Sequence, residues 1–475
     1  LGLLFYLKPN IINPQLLSLI TAGGDERLDI HPKTGRNKYH ISMMDFDSLL
    51  SRGSCTANSL NPDSKEAIER GWSSLKFDGY DAIKSRQLER VFRLLSRGYH
   101  NDFDIFFAPS GSDLAYVPFL IAQVLHGSRD ITTLTSCPEE LGSGTSLAAE
   151  GKYFYTKNAV SGHVVKGNPV FRDLNINALS FPARSSSGEI IDQKEYIRTA
   201  LRRNSSRVNI CNLVVGSKSG IEDNLSIIPD TPEEVIWTVD LCQLRNSVQL
   251  IHWLLDNNCM VMLTGSKFYQ APPFCGMMLI PKGISEQISA YRGTLDPGFH
   301  SIFSQNDLPL TWSYLRSQFK PYQNTGLLLR WEAAIQEMER FESTDYHIRN
   351  KIIDDWNTHV SEQIDHHPKF ELMPNQDKTN SSIISFRVQD KLGSFLSYDE
   401  LKRLHFKCLH HSTNRFQGPY DHFTIGQPVK YIQGAFIRLA LGSYDIRQLI
   451  QNPSFSNDSA IIDIIAQESQ TITHD

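Results

Sequence analysis

Val235-Ile-Trp-Thr-Val-Asp-Leu-Cys-Gln243 and, one helical stretch later, Met260-Val-Met-Leu-Thr-Gly-Ser-Lys267 each begin as a short apolar run and end in polar, charged residues. Continuous apolar runs of this length read as strands buried on both faces. Between them, Leu244 to Leu255 carries apolar residues at helical spacing. A strand, a helix and a second strand joined by a right-handed crossover lie in one parallel sheet, with both strand ends on the same edge. Ligands of such sheets sit outside the carboxyl ends of the strands. Asp240 and Lys267 are therefore expected side by side at a ligand-binding edge.

Working outward, Phe103–Ala108, Ile131–Thr135 and Val208–Val215 are further strand candidates, rich in β-branched and aromatic residues. The first ends in the turn Pro109-Ser-Gly-Ser-Asp113 and is followed by a helical stretch, Leu114 to Leu125. Strands alternating with helices predict an α/β fold with a mainly parallel sheet. Residues 91–320 form this large domain. Residues 1–90 have weak periodicity and turn signals at Gly23-Gly24, His31-Pro32 and Asn61-Pro62, which suggests an arm and part of a smaller domain. Residues 321–475 supply a linking helical region, Thr325 to Val360, and the rest of the small domain. There Ser382–Val388 and Ala435–Leu441 read as strands, and Ser397-x-x-Glu400 is a capping box that opens a helix.

Composition narrows the function. The 475 residues include 47 Lys+Arg and 52 Asp+Glu, a net charge of −5 with no basic run, which argues against a nucleic-acid partner. A 40% hydrophobic and 21% charged composition fits a globular chain rather than a disordered one. The apolar opening Leu1 to Leu7 stops at Lys8-Pro9, too short to span a membrane. Seven scattered cysteines, without zinc-site pairs or disulfide density, point to a reducing, cytoplasmic setting.

A lysine at the end of a buried strand needs a charge partner or a covalent role, because desolvation lowers its pKa and makes the amine nucleophilic. Alone, Lys267 would read as a solvated loop lysine. Asp240 changes that. A carboxylate that keeps a pyridinium nitrogen protonated and a lysine that forms a Schiff base are the pair pyridoxal phosphate requires.

Val239-Asp-Leu-Cys-Gln243 resembles the Asp-x-x-Gln element of the class V aminotransferase and cysteine desulfurase branch of fold-type I pyridoxal-phosphate enzymes, and Thr264-Gly-Ser-Lys-Phe-Tyr269 resembles their Schiff-base segment. The resemblance implies a three-layer α/β/α large domain with a smaller α+β domain, pyridoxal 5'-phosphate as cofactor and a homodimer. It makes Lys267 the Schiff-base lysine, pairs Asp240 with the pyridine nitrogen and sets Gln243 on the ring hydroxyl. Thr264 and Ser266 would bind the phosphate together with Gly111, Ser112 and Asp113, whose turn opens a helix with amides suited to an anion. Glu140, in Cys137-Pro-Glu-Glu140, falls where the family stacks an aromatic or histidine on the ring. Ile437-Arg438-Leu-Ala-Leu-Gly442 resembles the strand whose arginine grips the substrate carboxylate, a pairing suited to a forked guanidinium. Tyr291-Arg-Gly-Thr294 is the segment expected to reach the partner's cofactor.

The expected substrate is an amino acid or related amine and the expected reaction transamination, with a β- or γ-lyase as the alternative. A desulfurase needs a mobile cysteine before the last strand, and His422-Phe-Thr-Ile-Gly-Gln-Pro428 has none. From outside enzymology, the competing reading is a cofactor-less scaffold of the same fold. The joint presence of Lys267, Asp240 and Gln243 argues against it. Gly216-Ser-Lys-Ser219 ends another strand and reads equally as a ring contact or a polar turn. His359, Glu362, His366 and His367 lack His-Glu-x-x-His spacing and read as a charged helix end.

Overall fold

The structure is a computed structural model that describes residues 12–43, 48–56, 58–127, 130–232, 234–245, 247–374 and 382–473. Two sheets organise it. The larger contains β2 (Phe103–Ala108), β3 (Asp130–Ser136), β6 (Asn175–Phe181), β7 (Val208–Val214), β8 (Val235–Asp240), β9 (Met260–Thr264) and β10 (Gly276–Pro281), in spatial order β2-β10-β9-β8-β7-β3-β6. The smaller joins β1 (Leu49–Arg52), β13 (His422–Tyr431), β14 (Gly434–Ala440), β12 (Ile383–Val388) and β11 (Phe370–Leu372) in that order. β4 (Lys157–Asn158) and β5 (Gly162–His163) form a separate hairpin.

β3, β6, β7, β8 and β9 run parallel, and β10 is antiparallel to both β2 and β9. Alternation along each strand divides the core into two layers. Val261 and Leu263 of β9 and Met277 and Leu279 of β10 join one apolar cluster, with Ile251 and Leu254 of the helix Val248–Asp256 and with Trp331. Met260, Met262, Met278 and Ile280 face the other, with Phe119 to Ala122 of the helix Val117–His126 and Ile284 of the helix Lys282–Ala290. A sheet covered on both faces gives the three-layer α/β/α arrangement.

Several elements depart from the sequence expectation. The stretch after the 109–113 turn is a four-residue helix, Gly111–Leu114, separated by Ala115 and Tyr116 from Val117–His126. Asn61-Pro62 is a helix start rather than a loop: Asn61 Oδ1 accepts the Ser64 N–H at 2.8 Å and Pro62 takes the first turn of the helix Pro62–Asp78, where its missing N–H costs nothing. That helix and Tyr80–Leu95 pack on the helix Thr325–Glu342. In agreement with the sequence, the linking region is helical, as two helices, Thr325–Glu342 and Tyr346–Asp365, and the Ser397/Glu400 capping box forms. β1 pairs parallel with β13, so a strand from the first 90 residues completes the C-terminal sheet.

Candidate active site

Asp240 and Lys267 come to one edge because of the register. β8 and β9 are parallel, with Asp240 opposite Met262. Thr264 ends β9 and Lys267 follows three residues on, half-buried. Its amine makes no hydrogen bond or ion pair with any described residue. Asp240, also half-buried, is held by the Cys242 N–H, which donates to Oδ1 at 2.7 Å.

Gln243 is 2% exposed, and its Oε1 accepts the Ser54 hydroxyl at 3.1 Å. Ser54 in turn accepts from Arg245 Nη2 at 2.5 Å. This relay fixes which end of the Gln243 amide is occupied: the oxygen is taken and the NH₂ is left to donate. The same segment delivers Asn58, whose Nδ2 donates to the Ser266 carbonyl at 2.6 Å. Neither Ser54 nor Asn58 was visible in the sequence, since nothing local ties residues 54–58 to strand ends 200 positions away.

The 109–113 turn packs beside this edge. A Cβ on Gly111 would lie 3.1 Å from Cys242 Sγ and 3.4 Å from Thr264 Cγ2, so the turn approaches the ends of β8 and β9 closely. The Ser112 hydroxyl lies 3.4 Å from that of Thr145, and a Cβ on Gly142 would stand 3.1 Å from Ser112 Oγ. Thr145 was missed, although Gly142-Ser-Gly-Thr145 carries the same glycine-and-hydroxyl signal as the 110–112 turn. Thr264 donates its hydroxyl to the Cys242 carbonyl at 3.1 Å, and the Ser266 hydroxyl lies against the Cys275 thiol. Asp113 accepts the Ser110 hydroxyl at 2.6 Å. Desolvation, reinforced by nearby Asp25, pushes Asp113 up to about 7, against the pull of Ser110 and Arg27. Arg27 is paired with Asp25, stacks on Phe154 and Phe274 and reaches Ser110 Oγ at 3.4 Å.

Glu140 lies farther along the same sheet edge, after β3 and against the turn that follows β7. It is 2% exposed and accepts from Ser217 Oγ at 2.5 Å, the Ser219 N–H at 2.8 Å, Ser219 Oγ at 2.7 Å and Arg184 Nε at 3.4 Å. Its oxygens thus tie down the 216–219 turn. That turn presents Lys218, whose Nζ donates to the Glu139 carbonyl at 3.2 Å. Burial, then the charge of Arg438, pushes Lys218 down to about 8.

Arg438 stands on β14 opposite Gly426 and Ser385, 1% exposed. Nη1 donates to the Gln427 carbonyl at 2.8 Å and Nε has no partner. A Cβ on Gly426 would come 2.3 Å from Arg438 Cγ, so the glycine makes room for the side chain. Arg438 and Arg245 are both lowered, chiefly by burial, and neither pairs with a carboxylate among the described residues. The 291–294 segment folds on itself, Tyr291 OH donating to the Thr294 carbonyl at 2.9 Å. His359 bonds Ser459 Oγ and His366 its own helix at Glu362 O, and no metal-binding cluster occurs among the described residues. No helix among them is long and apolar enough to cross a membrane.

No family model matches the chain, and no curated protein does. Solved structures do. The ureidoglycine-glyoxylate aminotransferase of Bacillus subtilis is 13% identical with a TM-score of 0.55, covering 89% of this chain and 94% of its own. The cysteine desulfurase CsdA of Escherichia coli is 14% identical with a TM-score of 0.55, covering 89% and 95%. The glutamate decarboxylase domain of a Vibrio parahaemolyticus protein is 11% identical with a TM-score of 0.55, covering 96% and 90%. The chain has fold type I. Three named activities on one fold leave the reaction to the site itself.

Proposed function

We propose that this chain is a pyridoxal-phosphate-dependent enzyme acting on an amino acid through a Schiff base at Lys267, with transamination as its reaction. The observation that carries the reading is the half-buried Lys267 amine, without a hydrogen-bond or ion-pair partner among the described residues, at the same edge of parallel strand ends as Asp240. The donor set fits the cofactor. Lys267 offers an amine for the aldehyde, Asp240 a carboxylate for the ring nitrogen and Gln243 an amide N–H for the ring oxygen. The main chain at Gly111 and the hydroxyls of Ser112, Thr145 and Ser266 suit the phosphate, whereas the Thr264 hydroxyl, expected there from the resemblance, donates to the Cys242 carbonyl instead. Burial raises Asp113 to about 7, which lessens its repulsion of an anion there relative to an ordinary carboxylate.

Pyridoxal phosphate supplies an aldehyde that condenses with an amine and a ring that takes up electrons released at the α-carbon. Asp240 holds a proton on the ring nitrogen, the Ser54–Gln243 relay fixes the ring oxygen's donor, and Arg438 orients the substrate carboxylate with its free Nε. The Lys267 amine moves the proton at the substrate α-carbon. The proposal includes a homodimer, to be checked by sedimentation. The seven unpaired cysteines support a reducing compartment.

The test is covalent trapping. Protein mixed with pyridoxal phosphate should gain a visible absorbance band, and borohydride should fix the cofactor on the peptide containing Lys267. The band should vanish in Lys267→Ala. An adduct on Lys218 instead, or no adduct at all, overturns the reading. With the loaded protein and a panel of amino acids, keto acid without ammonia supports transamination, whereas ammonia with pyruvate marks a lyase.

A further inference from the structure

Charge around the site does not balance. Arg438, Lys267 and Glu140 all act electrostatically on Lys218, and Arg438 acts on Arg245, while Arg184, bonded to Glu140, lies over the ring of Phe436 on the Arg438 strand, which brings the Lys218 corner to that strand. The nearby carboxylates are Glu140, already held by Arg184, Ser217 and Ser219, and Asp240. Cations withdrawn from water without a counter-charge are costly, so the anion they require comes with a ligand. On the reading above, Lys267 and Asp240 engage the cofactor and Arg438 takes the α-carboxylate. Lys218 and Arg245 remain.

These two differ in what they have left to give. The Arg245 guanidinium donates to Ser54, Ser382 and the Leu441 carbonyl and lies over the Phe268 ring, which makes it part of the wall. Lys218 has three ammonium protons and, among the described residues, one side-chain hydrogen bond, a 3.2 Å contact to a neutral carbonyl. Its backbone is fixed independently: the Lys218 N–H donates to the Glu140 carbonyl at 3.2 Å while Ser217 and Ser219 hold the Glu140 side chain. The Glu140 turn also packs against β13, and Arg184 reaches across to the Pro374 carbonyl and lies over the Phe436 ring, two residues before Arg438. One rigid corner therefore sets an ammonium with N–H groups to spare near the Arg438 strand.

We propose that Lys218 binds a second acidic group of the substrate, so that the site takes an amino acid whose side chain ends in a carboxylate or a comparable anion. This rests on Arg438 receiving the α-carboxylate as proposed above. Lys218 is a specificity-determining residue here and takes no part in the proton transfer.

The experiment is a calorimetric titration of the pyridoxal-phosphate-loaded protein with succinate and glutarate against propionate and butyrate. Wild type should bind the dicarboxylates about tenfold or more tightly, the scale of one added charge pair. Lys218→Met should reduce dicarboxylates to the affinity of monocarboxylates while monocarboxylates change little. Lys218→Arg should keep the preference, and that retention shows the corner is intact. Equal affinities in wild type, or a preference that survives in Lys218→Met, overturns the inference. A protein that takes no cofactor yet prefers dicarboxylates would sink the enzyme reading and leave this subsite standing. A visible cofactor band with no preference does the reverse.

Discussion

Asp223 shows how a single buried carboxyl couples this fold to pH. It accepts the Val214 N–H and the Ser136 hydroxyl, both at 2.7 Å, yet burial outweighs those bonds and pushes its pKa up to about 6 from 3.8. The folded state therefore holds a proton that the unfolded chain has already released between about pH 4 and 6. The resulting stabilisation is full below the unfolded value and is lost as pH rises through the folded one, to a total of about 3 kcal/mol. Asp223→Asn keeps the shape and the acceptor for Val214 but cannot titrate. Urea unfolding at pH 4 and pH 7 should show the variant gaining about 2–3 kcal/mol relative to wild type at the higher pH. A constant difference would mean that Asp223 is ionised throughout. Asp113 and Asp445 are raised in the same direction, but both proteins share them and their effects cancel in the comparison. At this scale the site was half legible in the sequence. Of the residues in the proposed site, Lys267 and Asp240 are read from strand ends, and Arg438 from the likeness of Ile437-Arg-Leu-Ala-Leu-Gly442 to the family's strand. Ser54, Asn58 and Arg245 act through partners far away in the chain, and Glu140 turned out to organise a turn because its neighbours in space, Ser217, Ser219 and Arg184, are not its neighbours in sequence.

At the scale of elements, β2, β3, β7, β8 and β9 were readable because each is a largely buried apolar run. β10 was not. Its six residues, Gly276 to Pro281, are all buried but open on glycine, close on proline and contain no β-branched residue before Ile280, so they resemble the end of a loop. β6 was hidden for the opposite reason, a half-exposed edge strand starting Asn-Ile-Asn. β10 matters to the site, since Gly276 lies under the 110–111 turn: a Cβ there would stand 2.8 Å from the Ser110 carbonyl carbon and oxygen and 3.1 Å from the Gly111 nitrogen. Those atoms are backbone and cannot rotate away. Gly276→Ala should cost about 1–3 kcal/mol in unfolding free energy. It should also weaken pyridoxal phosphate more than pyridoxal, because the displaced turn is the proposed phosphate side. Equal losses for the two ligands would dissociate the turn from the phosphate.

For the molecule as a whole, the first and last parts of the chain are joined by a buried charge cluster. Arg52, at the end of β1, donates from Nε to Asp458 at 2.6 Å and lies 3.3 Å from Asp445. Asp458 is fully buried in the C-terminal helix Ser456–Ser469 and also accepts the Trp356 indole N–H at 2.9 Å. The cluster anchors β1 against β13, and β1 leads at once into Ser54 and Asn58, the residues that orient Gln243 and the Ser266 carbonyl. A break at Arg52 should therefore be felt twice. Arg52→Met leaves two buried carboxylates facing an apolar side chain, a loss of about 3–5 kcal/mol in urea unfolding. It should also lower cofactor affinity under conditions where the protein is still folded, because residues 54–58 lose their anchor. Arg52→Met combined with Asp458→Asn removes one stranded charge and should recover part of the stability. Cofactor affinity should not recover with it, since β1 remains unanchored at its end. If both quantities recover together, the link from cluster to site is only global stability; if stability returns alone, the N-terminal strand is the mechanical connection between the C-terminal sheet and the edge that carries Asp240 and Lys267.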